Sequence, residues 1–424
     1  MNILFDFMTV SIKNGAGEYH RRVFFELLKT IERNPKDDIR IFALYDSNKG
    51  IAYQDLKEDA ISGKYNIQYI DCKEKGVDRI VEDYKIDLFF IACSHHLRDN
   101  KEISRLRCEV ICVIHDLYGE EKYNNKIFLY QDLLNPNYTK SSKEISFKWK
   151  ILTRLPIIRK VIPHDLFSYY YVRWNGNERY RKNLTLVMPA IQLVLNNDKA
   201  KLVTISEYSK TSIHYYFNIP YNRIEVLYSP ERIEVESQKI QNVDLKRLID
   251  SKKKYYVMVS ADRVDKNPYK IIDSFKRYSK ENSDAFLVTV SFPSKEFENH
   301  IPFPFLSDSD LSELFKHCYA LIYPTFFEGF GYPPLEAMHY EKPVLCSNTS
   351  CLPEIFEDAP IYFTPFYEAS IYQALEKLTD DNYDEYCKKS EMQYQKIHAR
   401  QEGDLQKLIG MIIDNCDDNG GKVM

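Results

Sequence analysis

No run in this chain approaches the ~18 consecutive apolar residues of a membrane-spanning helix, and Asp6 follows Met1-Asn2-Ile3-Leu4-Phe5 too soon for a secretory leader. The expectation is a cytoplasmic protein whose membrane contact, where it has one, is peripheral at the inner face. The nine cysteines (72, 93, 108, 112, 318, 346, 351, 387 and 416) include no CxxC pair, so neither a zinc frame nor a disulfide framework is indicated, and a reducing compartment fits. Neither sign of charge dominates: 58 Lys and Arg against 62 Asp and Glu give a formal net charge of -4, which argues against a general nucleic-acid binder. Glycine is scarce at 13, whereas tyrosine reaches 33, a surplus for which stacking on sugars is the one physical role the sequence offers. What remains is ordinary for a soluble globular protein, 44% hydrophobic and 28% charged, and 424 residues exceed a single core.

The densest signal lies at Leu321 to Pro343. Ala320-Leu321-Ile322-Tyr323 is short and apolar enough for a buried strand, and Pro324 ends it because proline has no N–H for a ladder. Gly329 and Gly331 then permit close backbone approach. Pro333-Pro334 pre-set the first turn of a helix through Leu335-Glu336-Ala337-Met338, and Val344-Leu345-Cys346 reads as the next strand. Glu328 precedes the glycines and Glu336 is expected in the first helical turn, so both crowd a helix N-terminus that favours phosphate. Carboxylates there accept hydrogen bonds from sugar hydroxyls beside that phosphate; the plainer alternative is a solvated loop Glu328 and a Glu336 that complements the helix dipole.

Strand-like runs alternate with helical patterns in the chain ahead of this stretch. Ile3–Phe7, Arg40–Tyr45, Asn66–Ile70, Leu88–Ala92 and Glu109–Ile114 precede it, and the pattern restarts at Tyr255–Val259 and Phe286–Val290. Such alternation predicts parallel sheets covered by helices, with ligands gathered beyond the carboxyl ends of the strands. His115-Asp116 stands at one such end, and His95-His96 at another; a satisfied structural histidine is the competing reading for each. Gly15 and Gly17 follow the first strand, where a glycine turn is either a phosphate-approach loop or just a tight turn. Arg263, Lys266 and Asn267 lie between a strand and the helix Lys270–Phe275, where cations can neutralise a diphosphate; alternatively they are surface cations beside Asp262 and Asp265. Asp308-Ser309-Asp310 is better explained as helix capping than as a metal site.

From about 118 to 186 the pattern is irregular. Within it, residues 140–160 hold seven cations against the single acid Glu144, interleaved with aliphatic and aromatic residues. Lys148, Trp149, Lys150 and Arg154 would suit docking on anionic lipid, the alternative being a solvated basic face that Pro156 interrupts. Residues 231–254 are polar and charged, as suits a hinge with a surface helix.

Glu328-Gly329-Phe330-Gly331-Tyr332-Pro333-Pro334-Leu335-Glu336 resembles the E-x7-E signature of retaining GT-B glycosyltransferases of family 4 (glycosyl transferases group 1), of the bacterial surface-polysaccharide type. Ser307–Leu311 with Leu314-Phe315, Cys351-Leu352-Pro353-Glu354, Lys266-Asn267 and Val113-Ile114-His115-Asp116-Leu117 are similar to that family as well. The resemblance implies an α/β GT-B fold of two doubly wound Rossmann-like domains facing a cleft. It implies residues 1–235 as an acceptor domain, 236–400 as a nucleotide-sugar donor domain, and 401–424 as a C-terminal helix crossing back to the first. By the same resemblance Glu328 binds donor-sugar hydroxyls, Glu336 the ribose, and Gly329, Phe330, Gly331 and Asn267 line the donor. Lys266 and Arg263 stabilise the departing diphosphate, Gly15 and Gly17 lie against it, and His115 approaches the reacting centre; the pair His95-His96 is a further candidate for acceptor contact from its strand-end position alone. Many members carry Gly-Arg where this chain has Ser260-Ala261, so Arg263 takes the arginine role only with a two-residue displacement. The implied activity is retaining hexosyl transfer without metal or cofactor, from GDP-mannose first, then dTDP-rhamnose or a UDP-sugar, to a glycan or lipid-linked acceptor. A sugar-nucleotide epimerase or phosphorolytic enzyme on the same fold, and a non-catalytic partner in a glycan-assembly complex, are the alternatives.

Overall fold

The computed structural model describes residues 1–7, 15–33, 39–47, 67–73, 75–94, 103, 105–118, 121, 187–232, 240–292 and 294–413. His95, His96, Lys148, Trp149, Lys150 and Arg154, with the whole basic segment 140–160, lie outside these residues.

Two parallel sheets carry the chain. The first contains β1 (Asn2–Asp6), β2 (Arg40–Tyr45), β3 (Ile67–Asp71), β4 (Leu88–Ile91), β5 (Glu109–Val113), β6 (Ala200–Thr204) and β7 (Ile224–Val226), in the order 3-2-1-4-5-6-7. The second contains β8 (Lys254–Met258), β9 (Ala285–Val290), β10 (His300–Phe303), β11 (Ala320–Tyr323), β12 (Val344–Ser347) and β13 (Ile361–Phe363), in the order 10-9-8-11-12-13. Every pairing is parallel, so these strands are joined by crossovers and covered on both faces, and their central residues are apolar without alternation. In each sheet the order reverses beside the first strand, and such a switch point opens a crevice at the carboxyl edge. The fold is thus two Rossmann-like α/β domains.

Three apolar cores follow among the described residues. One fills the outer face of the first sheet, around Leu4, Phe89 and Leu202, and another that of the second, around Tyr256, Ile271 and Ile322. The largest is shared: it runs from Ile3, Phe5 and Phe24 through Leu405, Leu408 and Ile412 to Val257, Leu321 and Met338. Its bridge is the 31-residue helix Tyr383–Ile413. Gln401 donates to the Ser229 carbonyl at 2.6 Å, Gln406 to Glu26 at 3.0 Å, and Glu402 pairs with Arg22 at 2.9 Å, so this helix lies against the first domain.

The structure corrects several sequence expectations. Two helices, Glu368–Lys377 and Tyr383–Ile413, follow Phe363 where three segments were expected. Strands β10 and β13 were not anticipated. Part of the tyrosine surplus fills the core of the second domain: Tyr255 and Tyr256 are buried, and the Tyr255 hydroxyl donates to the Leu314 carbonyl at 3.0 Å, whereas Tyr367 is exposed. No described helix is long and apolar enough to cross a membrane.

Candidate active site

The loop after β11 is built by steric necessity. All four β11 residues are buried, and the chain leaves the sheet at Pro324. Gly331 has φ +102°, and a Cβ there would sit 2.8 Å from Leu352 Cδ2 and 3.1 Å from Phe356. Only glycine fits that backbone and that gap. The helix Tyr332–His339 starts at once, with prolines in its first turn. Glu336 falls beyond that first turn, which contains no acid, contrary to the expectation from sequence.

Gly329 joins the domains. A Cβ at this position would lie 3.1 Å from the His115 carbonyl and 3.0 Å from Asp116 Oδ2, so the glycine loop of the second sheet seats directly on the carboxyl end of β5 in the first. Phe327 reinforces the contact, its ring centroid 5.5 Å from that of Tyr118 and 6.0 Å from that of Tyr208. Below it, both carboxylate oxygens of Glu354 accept backbone N–H groups of Glu207 and Tyr208 at 2.8 Å, at the start of the helix Glu207–Phe217 whose N-cap is Ser206. An anion there meets unpaired amides and the positive helix end.

The chemistry concentrates at Lys266. A single 3-10 turn, Val264–Lys266, places it ahead of the helix Pro268–Glu281. The residue is 4% exposed, and its ammonium donates to the Tyr323 hydroxyl at 3.0 Å and to Glu328 Oε1. Tyr323 donates to the same Glu328 oxygen at 2.5 Å, and Thr325 Oγ1 lies 3.0 Å from it. Burial pulls the Lys266 ammonium down to about 7, against an opposing pull from Asp265. A buried lysine–carboxylate pair gains little as a stabilising device, because desolvation offsets much of the attraction, and an ammonium that loses its carboxylate there needs another anion in its place. Arg263 is held by Asp265 at 2.7 Å and is half exposed. Asn267 takes positive φ and donates to the Pro365 carbonyl at 2.8 Å, which makes its amide a structural tie.

Around this centre stand the remaining sequence-predicted residues. His115 Nε2 lies 2.9 Å from the Ala92 carbonyl, which only accepts, so Nε2 carries the proton in that bond; the ring also meets Tyr19 edge-on at 4.7 Å. Gly15 and Gly17 open the helix Gly15–Arg33, and Gly15 faces the Tyr332 ring. Phe330 is buried against Tyr228, a packing role. Glu336 pairs with Arg232 at 2.6 Å. The structure therefore brings Lys266, Glu328, Gly329 and the His115-Asp116 strand end into one cleft, with Glu336 on its flank, near enough to act electrostatically on Tyr323. Asp308 and Asp310 bind no such cleft: Ser307 caps that helix, and Asp310 accepts from Gln241 N at 2.9 Å.

Sequence reasoning missed Tyr323 and Arg232. Tyr323 read as one more apolar strand residue, although the last residue of a central strand is an address for function. Arg232 sits in the polar hinge, far along the chain from the acid it meets.

Comparison with known proteins bears on the fold and on the second domain. Residues 240–397 form a domain matching the family described as Glycosyl transferases group 1. The chain is 26% identical over 241 residues to the O-antigen chain mannosyltransferase RfbU of Salmonella typhimurium, a stretch covering 53% of this chain and 62% of that protein. The chain thus matches less than two thirds of that relative's length. Among solved structures, the sucrose-phosphate synthase of Thermosynechococcus elongatus superposes with a TM-score of 0.63 at 10% identity, over 99% of this chain and 100% of its own. Anabaena HepE in complex with UDP-glucose gives 0.58 at 13% identity, with the same coverage. These structural neighbours share the two-domain GT-B fold.

Proposed function

We propose that this protein is a retaining glycosyltransferase that moves a hexose, mannose from GDP-mannose before other sugar nucleotides, onto a glycan or lipid-linked acceptor in cell-surface polysaccharide synthesis. The observation that carries this reading is the buried Lys266–Tyr323–Glu328 cluster. It lies inside the matched domain and opposite the His115-Asp116 strand end. The mannosyl preference draws support from the O-antigen mannosyltransferase relative. A cytoplasmic site at the inner membrane face, where lipid-linked acceptors are met, belongs to the same proposal.

The residues divide the work as follows. The donor diphosphate displaces Glu328 from the Lys266 ammonium, which then neutralises charge as the bond from C1 to the phosphate oxygen breaks. The electron pair of that bond leaves with the diphosphate. Glu328, freed, accepts hydrogen bonds from the donor-sugar hydroxyls, and Glu336 holds the ribose. The acceptor hydroxyl oxygen bonds to C1 on the face the phosphate leaves, and its proton passes to the departing phosphate oxygen. Lys266 and Arg263 supply the positive charge, so the proposal includes no metal and no cofactor.

The test is release of GDP from GDP-mannose in the presence of extracted lipid-linked glycan, with the product linkage read by NMR. Glu328→Gln should lower turnover by 10²-fold or more at unchanged melting temperature, by analogy with loss of one charge-stabilising group. Equal turnover in the variant would remove Glu328 from the mechanism, and turnover without any acceptor would favour an enzyme acting on the sugar nucleotide alone.

A further inference from the structure

Among the described residues Lys266 is held by Glu328 and Tyr323, and Arg263 by Asp265. A further cation is Arg232. Its Nη1 lies 2.6 Å from Glu336 Oε1, and its guanidinium carbon lies 4.7 Å from the centroid of the Tyr332 ring. Its Nε–H is buried and has no acceptor among the described residues. Tyr332 is itself fixed, its hydroxyl 2.6 Å from Ser229 Oγ and donating to the Pro230 carbonyl at 2.8 Å. Gly15, at the start of the first domain's first helix, packs on the same ring. Glu18 of that helix and Tyr323 of the central cluster both act on Arg232 electrostatically. The arginine is thus held where the hinge, the first helix and the helix Tyr332–His339 converge, with about a third of its side chain still exposed.

We infer that Arg232 is a donor-binding residue whose guanidinium takes the phosphate adjoining the ribose held by Glu336. This rests on the proposed function, since it presumes a nucleoside diphosphate in the cleft. Ribose and its 5′-phosphate are covalently adjacent, so a group in contact with the carboxylate that binds the one lies within reach of the other. A guanidinium presents five donors in a planar fork that matches phosphate, and Glu336 with the Tyr332 face constrains that fork in advance. The buried Nε–H without an acceptor is the second sign, because such a donor is costly unless a ligand completes it. Arg232 also comes from the hinge, so the same contact would tie donor occupancy to the relative position of the domains.

The experiment measures binding of GDP, UDP and dTDP by calorimetry, and of guanosine, uridine and thymidine by ligand-observed NMR, to the wild-type protein, Arg232→Gln and Arg232→Lys. Loss of a charge-assisted phosphate contact should weaken diphosphate binding by about 10- to 100-fold in Arg232→Gln, with the matching nucleoside unchanged and part of the loss recovered in Arg232→Lys. Equal weakening of diphosphate and nucleoside would overturn the inference, leaving Arg232 as a support for Glu336. So would unchanged binding of both. If the wild-type protein binds none of the three diphosphates, the proposed function itself falls, a result distinct from either variant outcome.

Discussion

Lys266 carries an ammonium in a setting that disfavours charge, and its titration is therefore diagnostic. Burial lowers it to about 7 from an ordinary 10.5. Between those values the folded chain binds fewer protons than the unfolded one, so this group makes the free protein more stable as pH rises through that window. A bound diphosphate has the opposite preference: it favours the ammonium and raises its pKa. Binding above pH 7 should then take up a proton, and affinity should fall as pH rises through 7, by up to tenfold per unit. Calorimetry in buffers of different ionisation enthalpy reads the proton directly. Lys266→Arg, charged at every accessible pH, should flatten the profile, whereas pH-independent binding by the wild type from 6 to 9 would show that Lys266 does not meet the phosphate. Lys266 and Glu328 were legible in the sequence because each stands at a strand-to-helix turn within a dense local motif. Tyr323 and Arg232 were not, because their roles arise from partners brought together only by the fold.

At the scale of elements, the glycine loop and its helix were readable because backbone sterics leave few alternatives. Gly331→Ala tests that directly. A non-glycine residue at positive φ costs about 1–3 kcal/mol, and crowding Leu352 and Phe356 adds about 1–3 kcal/mol. Denaturant unfolding of the alanine variant should show a loss of at least ~2 kcal/mol, with Leu352→Ala in the same chain recovering less than it would if the clash were the whole cost. A loss below ~0.5 kcal/mol would mean that the loop has another backbone path. Elements that escaped the sequence did so for stated reasons. Strand β10 is four residues long and contains Pro302, tolerated because β10 is an edge strand. Its first residue, His300, is buried against Thr289 Oγ1 at 2.8 Å, and burial lowers its pKa to about 4. The C-terminal helix, expected only from residue 401, hides its earlier start, because Ser390, Gln393 and Gln401 occupy its buried stripe along with Ile397, Leu405 and Leu408. The glutamines earn no hydrophobic score, yet they satisfy the carbonyls of Ile355 and Ser229 at 2.8 and 2.6 Å.

For the whole molecule, the parallel α/β class was legible from alternation of strands and helices, and the contacts between domains were not. Among the described residues these contacts include Gly329 on the β5 end, Phe327 between Tyr118 and Tyr208, and the carboxylate of Glu354 on two helix amides. Glu354 is the adjustable one, since it makes hydrogen bonds from an ionised group, each worth about 1.5–3 kcal/mol. Glu354→Ala should shift the free protein toward a more open cleft, read as a larger radius of gyration in solution scattering, with the difference narrowing when a nucleoside diphosphate saturates the cleft. Identical scattering from variant and wild type would show that the other contacts alone hold the domains together.

The central claim is that the cleft around Lys266 binds a sugar nucleotide through its diphosphate. The most direct test is thermal stabilisation of the purified chain by a panel of nucleoside diphosphates and sugar nucleotides, with and without Mg²⁺, since a ligand at ~100 times its dissociation constant adds ~2.7 kcal/mol. The account predicts a shift selective for one base, GDP and GDP-mannose first, unaffected by Mg²⁺ and lost in Lys266→Ala. No shift with any member of the panel, or an equal shift in Lys266→Ala, would contradict it.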